Sequence, residues 1–384
     1  MPQRGRGLQV ALVWLVAGTG AFAQDLPRGT IVDTVACADD PAETYALYLP
    51  SGYTPDRPWS LLLGFHPGAR GRAIVETYRA AAERYGYIVA GSNTSRNGPW
   101  DTSIRAVRAV SKDLGRRFAI DARRLYLTGQ SGGARVAMEV ALGPNDVAGV
   151  IASSAGFADA RPRTTVRFAV FATAGVDDFN LGEMQELDEA LRSPHHLAVF
   201  DGGHALPPPG VAMEAVEWLE LQAMRDRRRD VDADLVAAWV AARRTRVAAA
   251  GDDLARLRGL RALVADFDRL ADVTAERARA EALERDPAVK AARARERDAR
   301  RAEARLLSEA LDVEARLRDA DTRAAGLVRL NALLAGWSRA ANADAPSPER
   351  SRARRLLGQL AGGAGLRIRD DEYRALLRQY RWRG

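Results

Sequence analysis

Residues 125–133 read Leu-Tyr-Leu-Thr-Gly-Gln-Ser-Gly-Gly and hold Ser131 inside a Gly-x-Ser-x-Gly pattern. The apolar run before Gly129 predicts a buried strand, and the amphipathic run over 132–141 predicts a helix. A serine on a sharp strand-to-helix turn needs small residues two positions before and two after it, because strand and helix pass closely there. We therefore predict a nucleophile turn at residues 129–133, with the serine hydroxyl presented at the end of a strand.

The same alternation of short apolar runs and amphipathic stretches extends from about residue 29 to residue 224. It is typical of β–α units built around a mostly parallel sheet. We predict strands at 44–49, 59–65, 87–90, 124–128, 147–153, 166–174 and 196–200, and helices at 73–85, 102–118, 132–141, 183–191 and 211–224. The fold class is therefore a doubly wound α/β domain over residues 24–224.

The remaining residues, 225–384, differ in composition and in the spacing of their apolar residues. Strand-like runs vanish, and Ala, Leu, Arg and Glu recur at helical spacing, with breaks at Gly251, Pro287 and the Ala-Pro-Ser-Pro of 345–348. This pattern predicts a separate all-helical domain of several antiparallel helices. Two alternatives stay open: a helical-repeat array, for which no clear period is found, and a coiled coil within 286–318.

Charge is spread unevenly between these two parts. Residues 1–224 hold 21 Arg and Lys against 24 Asp and Glu, whereas residues 225–384 hold 36 against 26. A basic half can indicate nucleic acid or an acidic membrane surface. Here the positive residues alternate with acidic ones, no aromatic residues are interleaved as stacking platforms, and only Lys112 and Lys290 are lysines. We expect no nucleic-acid partner; a protein partner for the helical domain stays open.

The N-terminal residues 1–23 have the layout of a secretory signal peptide. Arg4 and Arg6 precede an apolar run over 8–16, and Ala-Phe-Ala at 21–23 offers a cleavage site. The apolar run is shorter than the roughly 20 residues that a spanning helix needs. We therefore expect export to the periplasm or the medium without a stable membrane anchor. The single Cys37 cannot form an internal disulfide.

A serine nucleophile needs a base, an acid that orients the base, and donors for the oxyanion. His204 follows the last apolar run and is the candidate base, whereas His195 and His196 begin that run and are interpreted as structural. Asp177 and Asp178 both follow the preceding run, so they compete for the acid.

A Gly-x-x-Asp spacing favours Asp178 as the acid, which leaves Asp177 as a surface or turn residue. The catalytic residues would then be Ser131, Asp178 and His204, in the order expected when the serine stands on a strand-to-helix turn. No metal or other cofactor is required by this chemistry.

The oxyanion donors are expected from two loops. The N–H of Gly132 follows the nucleophile, and the loop after the strand 59–65 supplies a second N–H. Since Pro67 has no N–H, Gly68 or Ala69 is the expected second donor. His66 is interpreted as a brace of this loop rather than a base.

Four segments together resemble the secreted polyhydroxybutyrate-depolymerase and feruloyl-esterase-like branch of the α/β-hydrolases. They are Leu-Tyr-Leu-Pro-Ser-Gly-Tyr (47–53), Gly-Phe-His-Pro-Gly (64–68), Leu-Thr-Gly-Gln-Ser-Gly-Gly (127–133) and Asp-Gly-Gly-His (201–204). The resemblance covers roughly residues 30–224 and implies an α/β-hydrolase fold and ester cleavage through an acyl-serine, without cofactor. In relatives a Trp-Pro pair often follows Gly-Gly-His, whereas this chain has Ala-Leu-Pro at 205–207. The substrate contacts are therefore expected elsewhere, from Trp100 and Asn180.

The sequence thus predicts an exported serine hydrolase that acts on carboxylic esters. Two alternatives stay open: an exported peptidase of the prolyl-oligopeptidase type, which shares the same three catalytic residue types, and a binding or scaffold protein whose helical domain engages a partner.

Overall fold

The computed structural model describes residues 26–159, 163–368 and 370–380, so the signal peptide expected at residues 1–23 lies outside the described residues. The chain divides into two compact units. The sheet unit comprises the described residues of 26–175, 183–200 and 204–230, and the helical unit comprises 176–182, 201–203 and the described residues from 231 onward.

Among the described residues, eight strands form one sheet: β1 (Ile31–Ala36), β2 (Thr44–Tyr48), β3 (Trp59–Phe65), β4 (Tyr87–Ser92), β5 (Ile120–Gln130), β6 (Val147–Ser153), β7 (Ala169–Gly175) and β8 (His195–Phe200). Their order across the sheet is β1-β2-β4-β3-β5-β6-β7-β8. β2 is antiparallel to both of its neighbours, and the strands from β3 to β8 are parallel to one another. The predicted mostly parallel sheet is confirmed.

In the part of the chain that the structure describes, five helices connect or follow these strands: α1 (Gly71–Tyr85), α2 (Trp100–Arg117), α3 (Gly132–Leu142), α4 (Leu181–Ala190) and α5 (Pro209–Arg225). The connection from β3 to β4 runs one way across the sheet, and the connections from β4 to β5 and from β5 to β6 run the other way. Because such crossovers are right-handed, α1 covers one face while α2 and α3 cover the opposite face. This is the doubly wound arrangement of an α/β-hydrolase, as predicted.

The central strands are buried on both faces. Every residue of β3, β6 and β7 is buried, which explains why their sequences are continuous apolar runs rather than alternating ones. The edge strand β1 was not predicted, because its sequence Ile-Val-Asp-Thr-Val-Ala is only partly buried and has no continuous apolar run.

The helical unit contains seven further α-helices: α6 (Ala233–Ala248), α7 (Asp253–Phe267), α8 (Thr274–Arg285), α9 (Pro287–Ala315), α10 (Ala320–Ala341), α11 (Pro348–Arg367) and α12 (Asp371–Gln379). No strand occurs among its described residues, as predicted. Five of these helices begin after an aspartate whose side chain accepts a hydrogen bond from a first-turn N–H, the usual N-cap arrangement: Asp232, Asp252, Asp286, Asp319 and Asp370.

The predicted breaks coincide with helix boundaries. Gly251 separates α6 from α7, and Pro287 and Pro348 are the first residues of α9 and α11, where a proline loses no helical hydrogen bond. A coiled coil was one alternative for residues 286–318. There the chain forms the single helix α9, followed by a short 3₁₀ turn, Arg316–Arg318. No helix in the described part of the chain is both long and apolar enough to cross a membrane.

A buried carboxylate ties the last helix of the sheet unit to the sheet. Glu220 of α5 has no exposed surface and accepts hydrogen bonds from the Tyr87 hydroxyl and the guanidinium groups of Arg124 and Arg229. Burial and the Glu220 charge hold the pKa of Tyr87 well above its ordinary value, so the phenol keeps the proton that it donates. Two guanidinium groups therefore share one buried carboxylate.

The Glu220→Leu substitution leaves the guanidinium groups of Arg124 and Arg229 without their shared partner. We therefore expect the free energy of unfolding to fall by about 3–5 kcal/mol. Urea denaturation followed by tryptophan fluorescence measures it. Glu217→Leu is the matched control on the same helix, because Glu217 accepts from the Tyr85 hydroxyl at 2.7 Å and should lose only about 1 kcal/mol. Equal losses in the two variants would contradict a special role of the Glu220 cluster.

Candidate active site

Ser131 stands between β5 and α3 in a backbone conformation that serine rarely adopts. Its φ is 51° and its ψ is −120°, a region that carries a cost of about 1–3 kcal/mol for a residue with a Cβ. Its N–H donates to the carbonyl of Ser153 at the end of β6, at 2.8 Å. The neighbouring strand thus holds the strained turn in place, and the serine is half-buried.

The two outer glycines of the nucleophile turn are required by backbone packing. A Cβ on Gly129 would overlap the backbone carbonyl of Gly133, and a Cβ on Gly133 would overlap the carbonyl oxygen of Phe65 in β3. Because backbone atoms cannot rotate out of the way as a side chain can, both positions exclude any larger residue. The predicted steric reason for the Gly-x-Ser-x-Gly spacing is confirmed.

The loop after β3 is held by His66. The Gly68 N–H donates to His66 Nδ1 at 2.9 Å, and the Ala69 N–H donates to the His66 carbonyl at 3.0 Å. His66 is buried, and burial together with the Arg70 charge lowers its pKa to about 4, so the ring is neutral near pH 7. His66 therefore braces the loop, as predicted.

The hydrogen bonds within this loop determine which backbone N–H groups are left to act as the expected oxyanion donors. Gly132 is the first residue of α3, where a backbone N–H has no acceptor within its own helix. Gly68 and Ala69, by contrast, already use their N–H groups inside the loop. Their role as second donor stays a prediction, and it requires a bond of the loop to be given up.

The loop that carries His204 is attached to the ends of two strands. Gln130, the last residue of β5, donates from Nε2 to the His204 carbonyl at 3.1 Å. Ser154, which follows β6, donates from Oγ to the Ala205 carbonyl at 3.3 Å and has itself a positive φ of 62°. The backbone of His204 therefore lies beside the residue that precedes Ser131. The sequence offered no signal for Gln130 or Ser154, because both act across long separations.

The other histidines have structural roles, as predicted. His195 Nδ1 lies 2.7 Å from the Ser193 carbonyl, and the ring of His196 stacks on Phe171 with 4.9 Å between the ring centres. Both stand at the start of β8, whereas His204 follows its end.

Within the helical unit, Asp177 is bound by α11. Its Oδ2 accepts from Arg354 Nη1 at 2.7 Å, and its side chain is 6% exposed. Its N–H donates to the Gly202 carbonyl at 2.9 Å. Asp177 therefore lies in a turn, one of the two places expected for it, but it is not at the surface. The sequence could not indicate an arginine so far along the chain as its partner.

Two more residues of α11 hold the same segment of the helical unit. Arg355 Nη1 donates to the Val176 carbonyl at 2.7 Å, and Gln359 Nε2 donates to the Phe179 carbonyl at 2.8 Å. Gly358 packs against the ring of Phe179. The backbone on both sides of the two aspartates is thus fixed by α11.

Asp178 is fully buried. Its Oδ1 accepts from the backbone N–H of Asn180 at 2.8 Å, and its carbonyl accepts from the N–H of Leu181, the first residue of α4, at 2.9 Å. The backbone of Asn180 thereby orients the Asp178 carboxylate. A substrate contact by the Asn180 side chain stays a prediction.

Trp100, the other expected substrate contact, is the first residue of α2 and is 40% exposed. An exposed indole of this kind is available to a ligand, and its role stays a prediction.

No family model and no curated protein matches this chain. Among solved structures it is similar to an arylesterase, with 13% identity and a TM-score of 0.39 over 52% of this chain and 85% of the other. It is also similar to a feruloyl esterase module from Clostridium thermocellum, with 15% identity and a TM-score of 0.39 over 56% and 94%, and to a puromycin hydrolase, with 16% identity and a TM-score of 0.38 over 50% and 38%. The α/β-hydrolase fold itself follows from the strand order and the nucleophile turn of this chain.

Proposed function

We propose that the protein is a serine hydrolase that cleaves carboxylic esters, with Ser131 as the nucleophile. The observation that carries this proposal is the strained turn at Ser131, with φ 51° and ψ −120°. A turn that served structure alone would relieve the strain by using glycine, which has no Cβ. A serine kept in this conformation, with its hydroxyl at the end of a strand, supports a chemical role for the hydroxyl.

Strand topology supports His204 as the base and Asp178 as the acid. Ser131, Asp178 and His204 come after β5, β7 and β8 respectively, and the carboxyl ends of parallel strands meet at one edge of a sheet. His204 would take the proton from Ser131 Oγ as the oxygen attacks the ester carbonyl, and would return it to the leaving alcohol. Asp178 would hold the imidazole in the useful tautomer. The attachment of the His204 backbone to Gln130 and Ser154 supports this assignment.

The choice between the two aspartates rests on their partners. Asp177 shares its carboxylate with Arg354, whereas Asp178 has its carboxylate oriented by the N–H of Asn180. A carboxylate committed to a guanidinium is a weaker partner for an imidazole, which favours Asp178.

The nucleophile is tested by activity and by covalent labelling. We expect the protein to hydrolyse p-nitrophenyl butyrate and to react with a fluorophosphonate probe, and we expect Ser131→Ala to abolish both. Ser51→Ala, at an exposed serine in a turn, is the matched control and should retain both. A folded protein that neither hydrolyses short esters nor labels would refute the proposal. Turnover of peptide anilides without ester turnover would replace it with the peptidase.

The acid is tested by two neighbouring variants. Asp178→Asn should lower kcat by about 10⁴-fold, because an amide cannot hold the imidazole in the required tautomer. Asp177→Asn should keep most of kcat but lower the thermal midpoint, since it breaks the ion pair with Arg354. Steady-state kinetics and thermal melts of both variants provide the measurement, and the reverse pattern would assign the role to Asp177.

Export is part of the same proposal. The charged, apolar and small-residue regions of residues 1–23 support cleavage after Ala23. Expression of the full chain in a Gram-negative host should yield a mature protein beginning at Gln24 in the periplasm or medium, as measured by intact mass. A Leu12→Arg, Leu15→Arg variant, which interrupts the apolar run, should stay in the cytoplasm unprocessed. Recovery of the parent chain in the cytoplasm with residues 1–23 attached would contradict export.

A further inference from the structure

An asparagine outside the proposed set of Ser131, Asp178 and His204 lies directly against the nucleophile turn. Asn97 belongs to the loop between β4 and α2, and its carboxamide packs on the Cα of Gly132. A Cβ on Gly132 would overlap Asn97 Oδ1 and would stand 2.9 Å from Cγ. The Asn97 backbone N–H donates to the Pro67 carbonyl at 2.9 Å. Asn97 therefore joins the turn that holds Ser131 to the loop that follows β3.

This contact explains a glycine that the nucleophile turn does not itself demand. In Gly-x-Ser-x-Gly the residue after the serine is variable. Gly129 and Gly133 are required by backbone atoms, whereas the three atoms nearest to a Cβ on Gly132 all belong to Asn97. The glycine at position 132 thus makes room for the carboxamide.

The N–H groups of Gly68 and Ala69, the expected second donors, are already used within their loop, so a further donor would strengthen the proposed site. An oxyanion is best stabilised by several preorganised N–H donors. Gly132 supplies one backbone N–H, while the N–H groups of Gly68 and Ala69 are used within their loop. The Asn97 side chain is exposed and forms no hydrogen bond with any residue that the structure describes. Its Nδ2 carries two N–H groups, and Oδ1 rather than Nδ2 is the atom pressed on Gly132.

We propose that Asn97 donates from Nδ2 to the oxyanion that forms when Ser131 attacks the ester. The inference rests on the proposed function and names a further residue of the same site. Ser131 Oγ adds to the carbonyl carbon, its proton passes to His204, and the carbonyl π pair moves onto oxygen. That oxygen accepts from the Gly132 N–H and from Asn97. When the carbonyl re-forms, the bond to the alcohol oxygen breaks and the alcohol takes the proton from His204.

The first test separates donation from packing. Asn97→Asp keeps the size of the side chain but replaces the donor with a carboxylate, so kcat for p-nitrophenyl butyrate should fall by about 100- to 1000-fold, with KM within about twofold. Asn97→Ala should lose a similar factor. Arg96→Ala is the matched control on the same loop, because the Arg96 side chain forms no hydrogen bond or ion pair with the described residues, and it should retain kcat.

The second test uses the contact with Gly132. Gly132→Ala keeps the backbone N–H but pushes the carboxamide away, so kcat should fall in the parent chain. In the Asn97→Ala background the clash no longer exists, and adding Gly132→Ala should change kcat by less than threefold. Such non-additivity is the signature of two residues that act through one contact.

The outcomes for Asn97 and for the proposed function are distinguishable. Should Asn97→Asp keep the parent kcat while Ser131→Ala abolishes turnover, Asn97 is not a donor and the hydrolase assignment stands. Equal losses from Gly132→Ala in both backgrounds also overturn the role of Asn97. A parent protein without turnover or labelling overturns both proposals. If Asn97→Ala does not fold, the isosteric Asn97→Asp variant carries the test alone.

Discussion

At the junction of β5 and α3 two backbones pass so closely that no side chain fits between them. The carbonyl of Gly133 lies where a Cβ of residue 129 would stand, and the carbonyl of Phe65 lies where a Cβ of residue 133 would stand. Between these two glycines the residue at position 131 has a positive φ and stands at the end of the strand. The parallel sheet around β5 keeps the approach rigid, because the turn is also tied to β6 through the Ser153 carbonyl.

The surrounding loops are held by side chains that follow the same edge of the sheet. Gln130 and Ser154 hold the backbone at positions 204 and 205, His66 holds its own loop, and Asn97 links that loop to the nucleophile turn. Except for the local contact of His66 with Gly68, these contacts join residues that stand far apart in sequence. The strained serine is therefore surrounded by loops that hydrogen bonds hold in place, and the proposed hydrolysis would rely on such preorganised surroundings to stabilise its transition state.

Much of the fold could be predicted because its causes are local. Strands buried on both faces must be continuous apolar runs, and a nucleophile turn must carry its glycines at fixed spacing, so β3, β6, β7 and the turn at Ser131 were all recognisable. The edge strand β1 was missed because its sequence carries no continuous apolar run. The burial of Asp177 was missed because its partner, Arg354, lies 177 residues away. No sequence pattern marks Asn97 as a site residue. Its position beside Gly132 is known only from the structure.

The ion pair between Asp177 and Arg354 limits how the chain can be divided. All eight strands end before residue 201, so a fragment stopping near residue 230 would retain the complete sheet. It would nevertheless lack α11 and hence Arg354, Arg355 and Gln359, so Asp177 would lose its counter-ion and the backbone beside the aspartate proposed for the chemistry would lose two hydrogen bonds. The segment 176–179 would therefore be the first to be disturbed by a deletion, gene fusion or domain exchange that removes the helical region.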